Sequence, residues 1–163
     1  MKIRILVTGG TIDNLEYDSE NKAPKNQESL IPDLLKKSRA VADYKIEKIL
    51  FKDSRFITEK DRESMLKKCN KSKEERIVIT HGTATMPITA KFLGKSDIKK
   101  TIVLVGAAVP ANKKGSDAHF NLGFALAAAR LLPIGVYIAM NGKIFFWNNV
   151  KKNLKSGFFE KER

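Results

Sequence analysis

The sequence predicts an α/β fold: a doubly wound, mostly parallel sheet of the Rossmann-like or flavodoxin-like three-layer type, in a single domain over residues 1–163. Three observations predict it. Short apolar stretches typical of buried strands recur along the chain, stretches with a helical apolar stripe separate them, and 163 residues suit one hydrophobic core. Strands that alternate with helices build βαβ units, in which the strands run parallel and helices cover both faces.

Six strands are predicted, each from a run of apolar or β-branched residues. They cover residues 3–7, 45–51, 76–80, 101–105, 134–140 and 143–147. An Asn-Gly pair at positions 141–142 is a strong signal for a two-residue hairpin between the last two strands.

Four helices are predicted from their apolar stripes and caps. The first helix begins near Ser29, and the second covers residues 58–70 with Thr58 as its N-cap. The third covers residues 86–93 and ends at Gly94, and the fourth covers residues 117–132 with Ser116 or Asp117 as its cap. Residues 13–27, between the first strand and the first helix, are polar and show almost no periodicity. A connection of this length is often a lid over a site.

Composition narrows the classes of partner. The formal charge is +13, but lysines greatly outnumber arginines, and no stretch combines them with aromatic side chains in the way that base recognition requires. We therefore expect a solvated basic surface, with nucleic acid an unlikely partner. The apolar runs are too short or too broken to span a membrane, and the single cysteine, Cys69, cannot form an internal disulfide. These features predict a soluble, cytoplasmic protein with no membrane partner.

Small and polar residues follow four of the predicted strands. They form the stretches TGGT (8–11), KDSR (52–55), THGTATM (80–86) and GAAVP (106–110). The carboxyl ends of parallel strands meet at one edge of a sheet, which is where open α/β sheets bind their ligands. The sequence therefore predicts a shared crevice lined by hydroxyl groups, a carboxylate and backbone amides.

A threonine can act as a nucleophile only if a base accepts its proton. Thr11 projects from the Gly-Gly turn, and neither histidine is an obvious partner: we expect His81 to pack or bond to backbone, and His119 lies in the first turn of a helix. Lys100, just before the strand at 101–105, is the best-placed base, because burial would lower its pKa. The histidines and Cys69 lack metal-ligand spacing, so no metal site and no cofactor are expected.

The stretches ILVTGGTID, KDSRFIT, VITHGTATM and KTIVLVGAAVPANKKGSDAHFNL, in this order, resemble the amino-terminal domain of the bacterial-type L-asparaginases, including the glutaminase-asparaginases. The resemblance runs from Met1 to about Val150. It implies hydrolysis of the side-chain amide of asparagine, or of a related small amide, through a threonine nucleophile and an acyl-enzyme, without metal or cofactor. It also implies a homo-oligomer, such as a homodimer, because active sites in the family lie between subunits.

The resemblance assigns roles to residues that match the family motifs. Thr11 matches the nucleophile, Thr83 matches a second catalytic threonine, and Lys100 stands in the register of its lysine partner. Tyr17, the only tyrosine of the predicted lid, is nominated as the residue that assists the nucleophile, although it lies closer to Thr11 than the family tyrosine does.

Four further positions are implied in substrate binding. Ser54 matches a serine that binds the α-carboxylate of the substrate, and Arg55 follows where the family often has a polar contact. The backbone amides from Gly82 to Ala84 correspond to those that stabilise the oxyanion, an effect worth about 3 kcal/mol.

The chain departs from the family at two points that affect the α-ammonium of the substrate. Ala84 replaces the aspartate of the His-Gly-Thr-Asp-Thr-Met motif, and the family's smaller carboxy-terminal domain, which supplies a second acidic residue, is expected to be absent. Two interpretations stay open: an amidohydrolase with impaired or altered substrate use, and a non-catalytic module that binds a small carboxylate or amide.

Overall fold

The computed structural model describes residues 1–15, 24 and 26–162. The nominated lid residue, Tyr17, lies outside these residues. The described residues form eight strands: β1 (Ile3–Val7), β2 (Tyr44–Lys48), β3 (Arg76–Thr80), β4 (Thr101–Val105), β5 (Gly135–Met140), β6 (Lys143–Phe146), β7 (Lys151–Lys152) and β8 (Phe159–Glu160). The first six form one sheet in the order β2-β1-β3-β4-β5-β6, with β1 to β5 parallel and β6 antiparallel. The predicted doubly wound, mostly parallel α/β fold is thus confirmed.

In the part of the chain that the structure describes, four α-helices cover the sheet: α1 (Ile31–Lys37), α2 (Glu59–Lys71), α3 (Met86–Gly94) and α4 (Ala118–Leu131). Thr58 caps α2 as predicted, in a capping box with Asp61. At the start of α4 the hydroxyl oxygen of Ser116 accepts a hydrogen bond from the Ala118 amide at 3.1 Å. The carboxylate of Asp117 instead accepts from the amides of Ala108 and Val109, and so holds the loop after β4.

The second strand is shorter than predicted. Its ladder with β1 ends at Lys48, where the amides of Ile49 and Leu50 both donate to the carbonyl of Val7. Two donors on one acceptor interrupt the regular spacing of a parallel ladder. The chain then continues beside β1 towards the KDSR turn, with the Lys52 amide bonded to the Thr8 carbonyl.

The helices form two layers. Helix α1 packs with α4 on one face of the sheet, and α2 packs with α3 on the other. The steps from β2 to β3, β3 to β4 and β4 to β5 cross the sheet in the same direction, yet α4 lies on the opposite face from α2 and α3. The β4–α4–β5 crossover therefore has the opposite hand to the two before it, which is rare because nearly all such crossovers share one hand.

The two ends of the parallel strands define two surfaces. The carboxyl ends of β1, β3 and β4, with the turn after β2, form the crevice edge, which carries the four polar stretches. The loops that precede β2, β3, β4 and β5 (residues 38–43, 72–75, 95–100 and 132–134) form the amino edge. A strand of five residues separates these edges by about 16 Å. The core between them is formed by strands that are buried along most of their length, β4 throughout.

Candidate active site

The four polar stretches pack closely at the crevice edge, where Gly106 of GAAVP meets the THGTATM stretch: an added Cβ on it would lie 2.4 Å from the His81 carbonyl oxygen. A Cβ added to Gly10 would lie 2.4 Å from the amide nitrogen of Gly82, and one added to Gly82 would lie 2.7 Å from Oγ of Ser54. Gly10 also has a φ of 88°, which L side chains rarely adopt. Glycine is therefore required at both positions, and it brings the TGGT, KDSR and HGT segments into direct contact.

Thr11 begins a short 3₁₀ turn, Thr11–Asp13, and is exposed, whereas Ile12 and Asp13 are buried. The Asp13 Oδ1 atom accepts hydrogen bonds of 2.7 Å from the Ser29 hydroxyl and from the Leu30 amide. Burial raises the pKa of this carboxyl group. These bonds fix the turn to the residues at the start of α1. Thr11 is therefore exposed to solvent on a turn that is anchored to the fold.

Lys152 contacts Thr83 at the same edge. Its Nζ donates a hydrogen bond of 2.7 Å to Oγ1 of Thr83, and partial burial of the lysine lowers its pKa. Lys152 lies on β7, which pairs with β8 and is held to the body of the protein by the buried side chains of Val150 and Phe159. A hydroxyl group in contact with a lysine of lowered pKa is an arrangement that can transfer a proton.

A cavity of about 290 Å³ opens beside this pair. Ala84 lines it together with Ile88, Leu154 and Lys152, and the side chain of Ala84 is exposed. Within the described part of the chain, the amides of Thr83 and Ala84 donate to no acceptor. The cavity thus has an apolar wall and several charged side chains around it, since Lys91, Lys151 and Glu162 line it as well as Lys152.

His81 is completely buried and stabilises the HGT loop through hydrogen bonds. Its Nδ1 donates to the Gly82 carbonyl at 2.7 Å, and its Nε2 accepts from the Thr89 hydroxyl at 2.9 Å. Oγ1 of Thr89 in turn accepts from Nε of Arg62 at 3.1 Å. Burial lowers the pKa of His81 to about 4, although its bond to Gly82 opposes the shift. His81 is therefore a neutral structural residue, as predicted.

This burial makes the stability of the protein depend on pH. An unfolded histidine binds a proton near pH 6.5, but His81 in the folded protein binds one only near pH 4. Between these values the unfolded state holds more protons, so acidification destabilises the fold by about 1.4 kcal/mol per pH unit, or about 3 kcal/mol in total. Urea unfolding at pH 7 and pH 4.5 measures this fall in the free energy of unfolding. We expect His81→Gln to lack the part of the fall that His81 causes.

The exposed His119 provides the matched control. His119→Gln should leave the pH dependence of unfolding as it is in the wild type. If the unfolding free energies of wild type and His81→Gln stay parallel from pH 7 to pH 4.5, the stabilising role of neutral His81 is wrong.

Comparison with known proteins identifies relatives of this chain. The family profile described as "Asparaginase, N-terminal" matches residues 2–159. The chain belongs to the asparaginase family. It is 34% identical over 159 residues to the "Probable L-asparaginase periplasmic" of Haemophilus influenzae, an alignment that covers 92% of this chain and 46% of that protein.

Solved asparaginases share the fold. The thermostable L-asparaginase from Thermococcus kodakarensis matches with a TM-score of 0.82 at 28% identity, over 99% of this chain and 51% of the other. The probable cytoplasmic L-asparaginase from Campylobacter jejuni matches with a TM-score of 0.77 at 32% identity, over 93% of this chain and 48% of the other. The chain thus spans about half the length of these relatives.

The structure separates Lys100 from Thr83, contrary to the pairing expected from the sequence. Nζ of Lys100 donates to the carbonyls of Ser72 and Glu74 in the loop that precedes β3. Lys100 thus lies on the amino edge, because it precedes β4, whereas Thr83 follows the carboxyl end of β3. The lysine that the structure places against Thr83 is Lys152.

Ser54 and Arg55, the predicted substrate-binding residues of the KDSR turn, have different surroundings. Ser54 is only 1% exposed, its Oγ accepts from the Thr85 amide at 3.4 Å, and its carbonyl accepts from the Thr85 hydroxyl. Arg55 is exposed and forms a two-pronged ion pair with Asp53. Ser54 therefore links the KDSR turn to the HGT loop, and the charge of Arg55 is balanced by its neighbour.

Lys152 is the site residue that sequence reasoning missed. Its local signal is weak: two lysines after Val150 look like an exposed pair, and strands of two residues show no periodicity. Within the described residues, no group of three or more His, Cys, Asp or Glu side chains is arranged to hold a metal ion.

Proposed function

We propose that this chain is an asparaginase-type amidohydrolase unit that hydrolyses L-asparagine or a related small amide to the acid and ammonia. The observation that carries the proposal is the 2.7 Å hydrogen bond between Lys152 and Thr83, in a loop that contacts the turn bearing Thr11. The family supports amide hydrolysis, and the relatives named as L-asparaginases support asparagine as its substrate.

In the proposed reaction, Oγ1 of Thr11 attacks the carbonyl carbon of the amide and its proton leaves through the Thr83–Lys152 pair. The amides of Thr83 and Ala84 stabilise the negative oxygen of the tetrahedral intermediate. The C–N bond then breaks, the nitrogen takes a proton and ammonia departs, leaving an ester on Thr11. Water hydrolyses that ester to release the acid and restore the threonine.

Lys152 acts as a base only when it is neutral. Partial burial favours the neutral form because a charged ammonium loses hydration, which lowers the pKa of this lysine. Rate should therefore rise with pH through the lowered pKa of Lys152 and fall as the pH drops below it.

The direct test is an ammonia-release assay with asparagine, glutamine and simple amides. Turnover of asparagine or a related amide supports the proposal. Absence of ammonia from every amide, with the chain folded, contradicts it.

Ala84 determines how well an amino-acid substrate is held. Its methyl group lines the cavity beside Lys152 where the family motif has an aspartate, and a missing charge-assisted bond costs about 2 to 5 kcal/mol. We expect Ala84→Asp to raise kcat/KM for asparagine at least tenfold. For an amide without an α-ammonium, kcat/KM should stay the same or fall.

Ala84→Ser is the matched control, because it adds a polar atom of similar size without the charge. A wild type as active on asparagine as Ala84→Asp would contradict the role given to the missing carboxylate.

The second candidate function is non-catalytic binding of a small carboxylate or amide. It is favoured by one observation, the methyl group of Ala84 in a cavity that is lined by cationic side chains, among them Lys152. Calorimetry with asparagine, aspartate and succinate distinguishes the two, since a binding module gives heat of binding with no ammonia.

A further inference from the structure

The amino edge forms a continuous rim on the side of the sheet away from the crevice. Backbone hydrogen bonds join its loops to the neighbouring strands, from Ile3 to Asp43, from Thr101 to Glu75 and from Gly135 to Lys100, at 2.9 to 3.1 Å. Helices α1, α2 and α4 also end at this rim, because each runs antiparallel to the strands it connects. Cations that are far apart in the sequence, such as Lys37, Lys73 and Arg130, are thus collected on one surface.

The rim is strongly basic. Its exposed cations include Lys36, Lys37, Arg39, Lys71, Lys73 and Arg130. Within the described residues, none of these six forms an ion pair with a carboxylate.

The acidic side chains of the rim are largely neutralised. Asp43 pairs with Lys2, and Asp97 pairs with Lys99. Glu74 binds Arg4 at 2.9 Å, which leaves Glu75 to oppose the rim's free cations.

Exposed aliphatic side chains lie among these cations. Val41 in the loop before β2 is 99% exposed, Leu131 at the end of α4 is 83% exposed, and Ile134 in the loop before β5 is 62% exposed. Lysine near the end of a helix is explained by the helix dipole. The dipole gives no reason for exposed aliphatic groups at three positions of the same rim.

We propose that the amino edge docks on the surface of an anionic lipid membrane. Basic residues near a negatively charged leaflet each contribute about 1 kcal/mol, and exposed aliphatic side chains gain by entering the boundary between headgroups and acyl chains. Val41, Leu131 and Ile134 are placed to insert while the surrounding lysines contact lipid phosphates. This mode needs no membrane-spanning segment, and no helix among the described residues is long and apolar enough to be one.

The rim suits lipid better than nucleic acid. A phosphate backbone would attract the lysines but would leave the three aliphatic side chains in water. The aromatic rings at this end of the sheet, Tyr137, Phe146 and Trp147, pack on one another in T-shaped and tilted contacts, which differ from the parallel stacking with which proteins hold unpaired bases. The sequence taken alone predicts no membrane partner, because the fold is what brings cations from separate segments together.

Co-sedimentation with vesicles tests the proposal. The full chain should bind vesicles of phosphatidylcholine mixed with phosphatidylserine at low salt, and should not bind vesicles of phosphatidylcholine alone. Reversing three charges at once, Lys36→Glu with Lys37→Glu and Arg39→Glu, should reduce the partition coefficient about 100-fold. Replacing Val41 and Leu131 with serine should reduce it about tenfold, with the net charge unchanged.

Two control variants lie outside the rim. Lys113→Glu with Lys114→Glu reverses two exposed charges in the loop after β4, and Leu154→Ser removes a side chain that is 88% exposed beside β7. Both should bind vesicles far better than the rim variants do, and circular dichroism should show every variant folded.

Three outcomes would overturn the proposal. They are no binding to anionic vesicles, equal loss in the Lys113/Lys114 variant, which would show that only net charge matters, and full binding by the Val41/Leu131 variant. Binding of a double-stranded RNA in place of the vesicles would assign the rim to nucleic acid instead.

Discussion

Replacing Lys152 with methionine is expected to lower kcat for amide hydrolysis by about 10² to 10⁴-fold, the usual contribution of a positioned acid or base. Methionine keeps the apolar stem of the lysine and removes the amine that contacts Thr83. Because the variant removes proton transfer and leaves the cavity in place, KM should change little. Its residual rate should also lose the rise with pH that the wild type shows.

Two other lysines make this experiment specific. Lys151 is the adjacent residue on β7, is exposed and pairs with Glu160, so Lys151→Met controls for loss of charge on the hairpin. Lys100→Met separates the pairing favoured by the sequence from the one found in the structure. If Lys100→Met abolishes turnover while Lys152→Met remains active, the role proposed for Lys152 is wrong.

The fold could be predicted from the sequence because its signals are local. β4 is apolar at each position but the first and buried throughout, and Gly94 marks the end of α3. Once strands and helices alternate, the parallel arrangement follows from the rules of chain connection. The opposite hand of the β4–α4–β5 crossover could not be predicted in this way, because it depends on which face α4 covers.

The part of the site that could be predicted is the part that depends on the order of the strands. TGGT and THGTATM follow β1 and β3, which are neighbours in the sheet, so Thr11 and Thr83 lie on loops that meet. The partner of Thr83 is a different problem, since Lys152 is 69 residues away in the chain. Its position depends on a two-residue strand and on the burial of Phe159, neither of which has a periodic signature.

Lys100 shows why adjacency to a buried strand is insufficient to place a residue in the crevice. It directly precedes an apolar strand, which suggests partial burial and a lowered pKa. Yet the start and the end of a five-residue strand lie about 16 Å apart, on opposite edges of the sheet. The end of the strand at which a residue lies therefore decides its edge, and a residue that precedes β4 is excluded from the crevice by chain direction alone.

Thr11→Ala is expected to abolish amide hydrolysis, with a loss on the order of 10⁴-fold or more, because loss of a nucleophile removes the covalent route altogether. Thr11 is exposed on a turn whose neighbours, Ile12 and Asp13, are buried. Truncating its side chain should therefore leave the fold and its thermal unfolding almost unchanged. The loss would then report chemistry and not misfolding.

Comparison with Thr83→Ala identifies which threonine forms the acyl-enzyme. Lys152 contacts Thr83, so the geometry alone would also allow Thr83 to be the nucleophile. Mass spectrometry after rapid acid quench should find the acyl adduct on Thr11 in the wild type. In Thr83→Ala, acylation should be slow but still directed to Thr11, and in Thr11→Ala no adduct should form. An adduct on Thr83 would exchange the two roles, and Thr11 would then act as an orienting hydroxyl beside the Thr83–Lys152 pair.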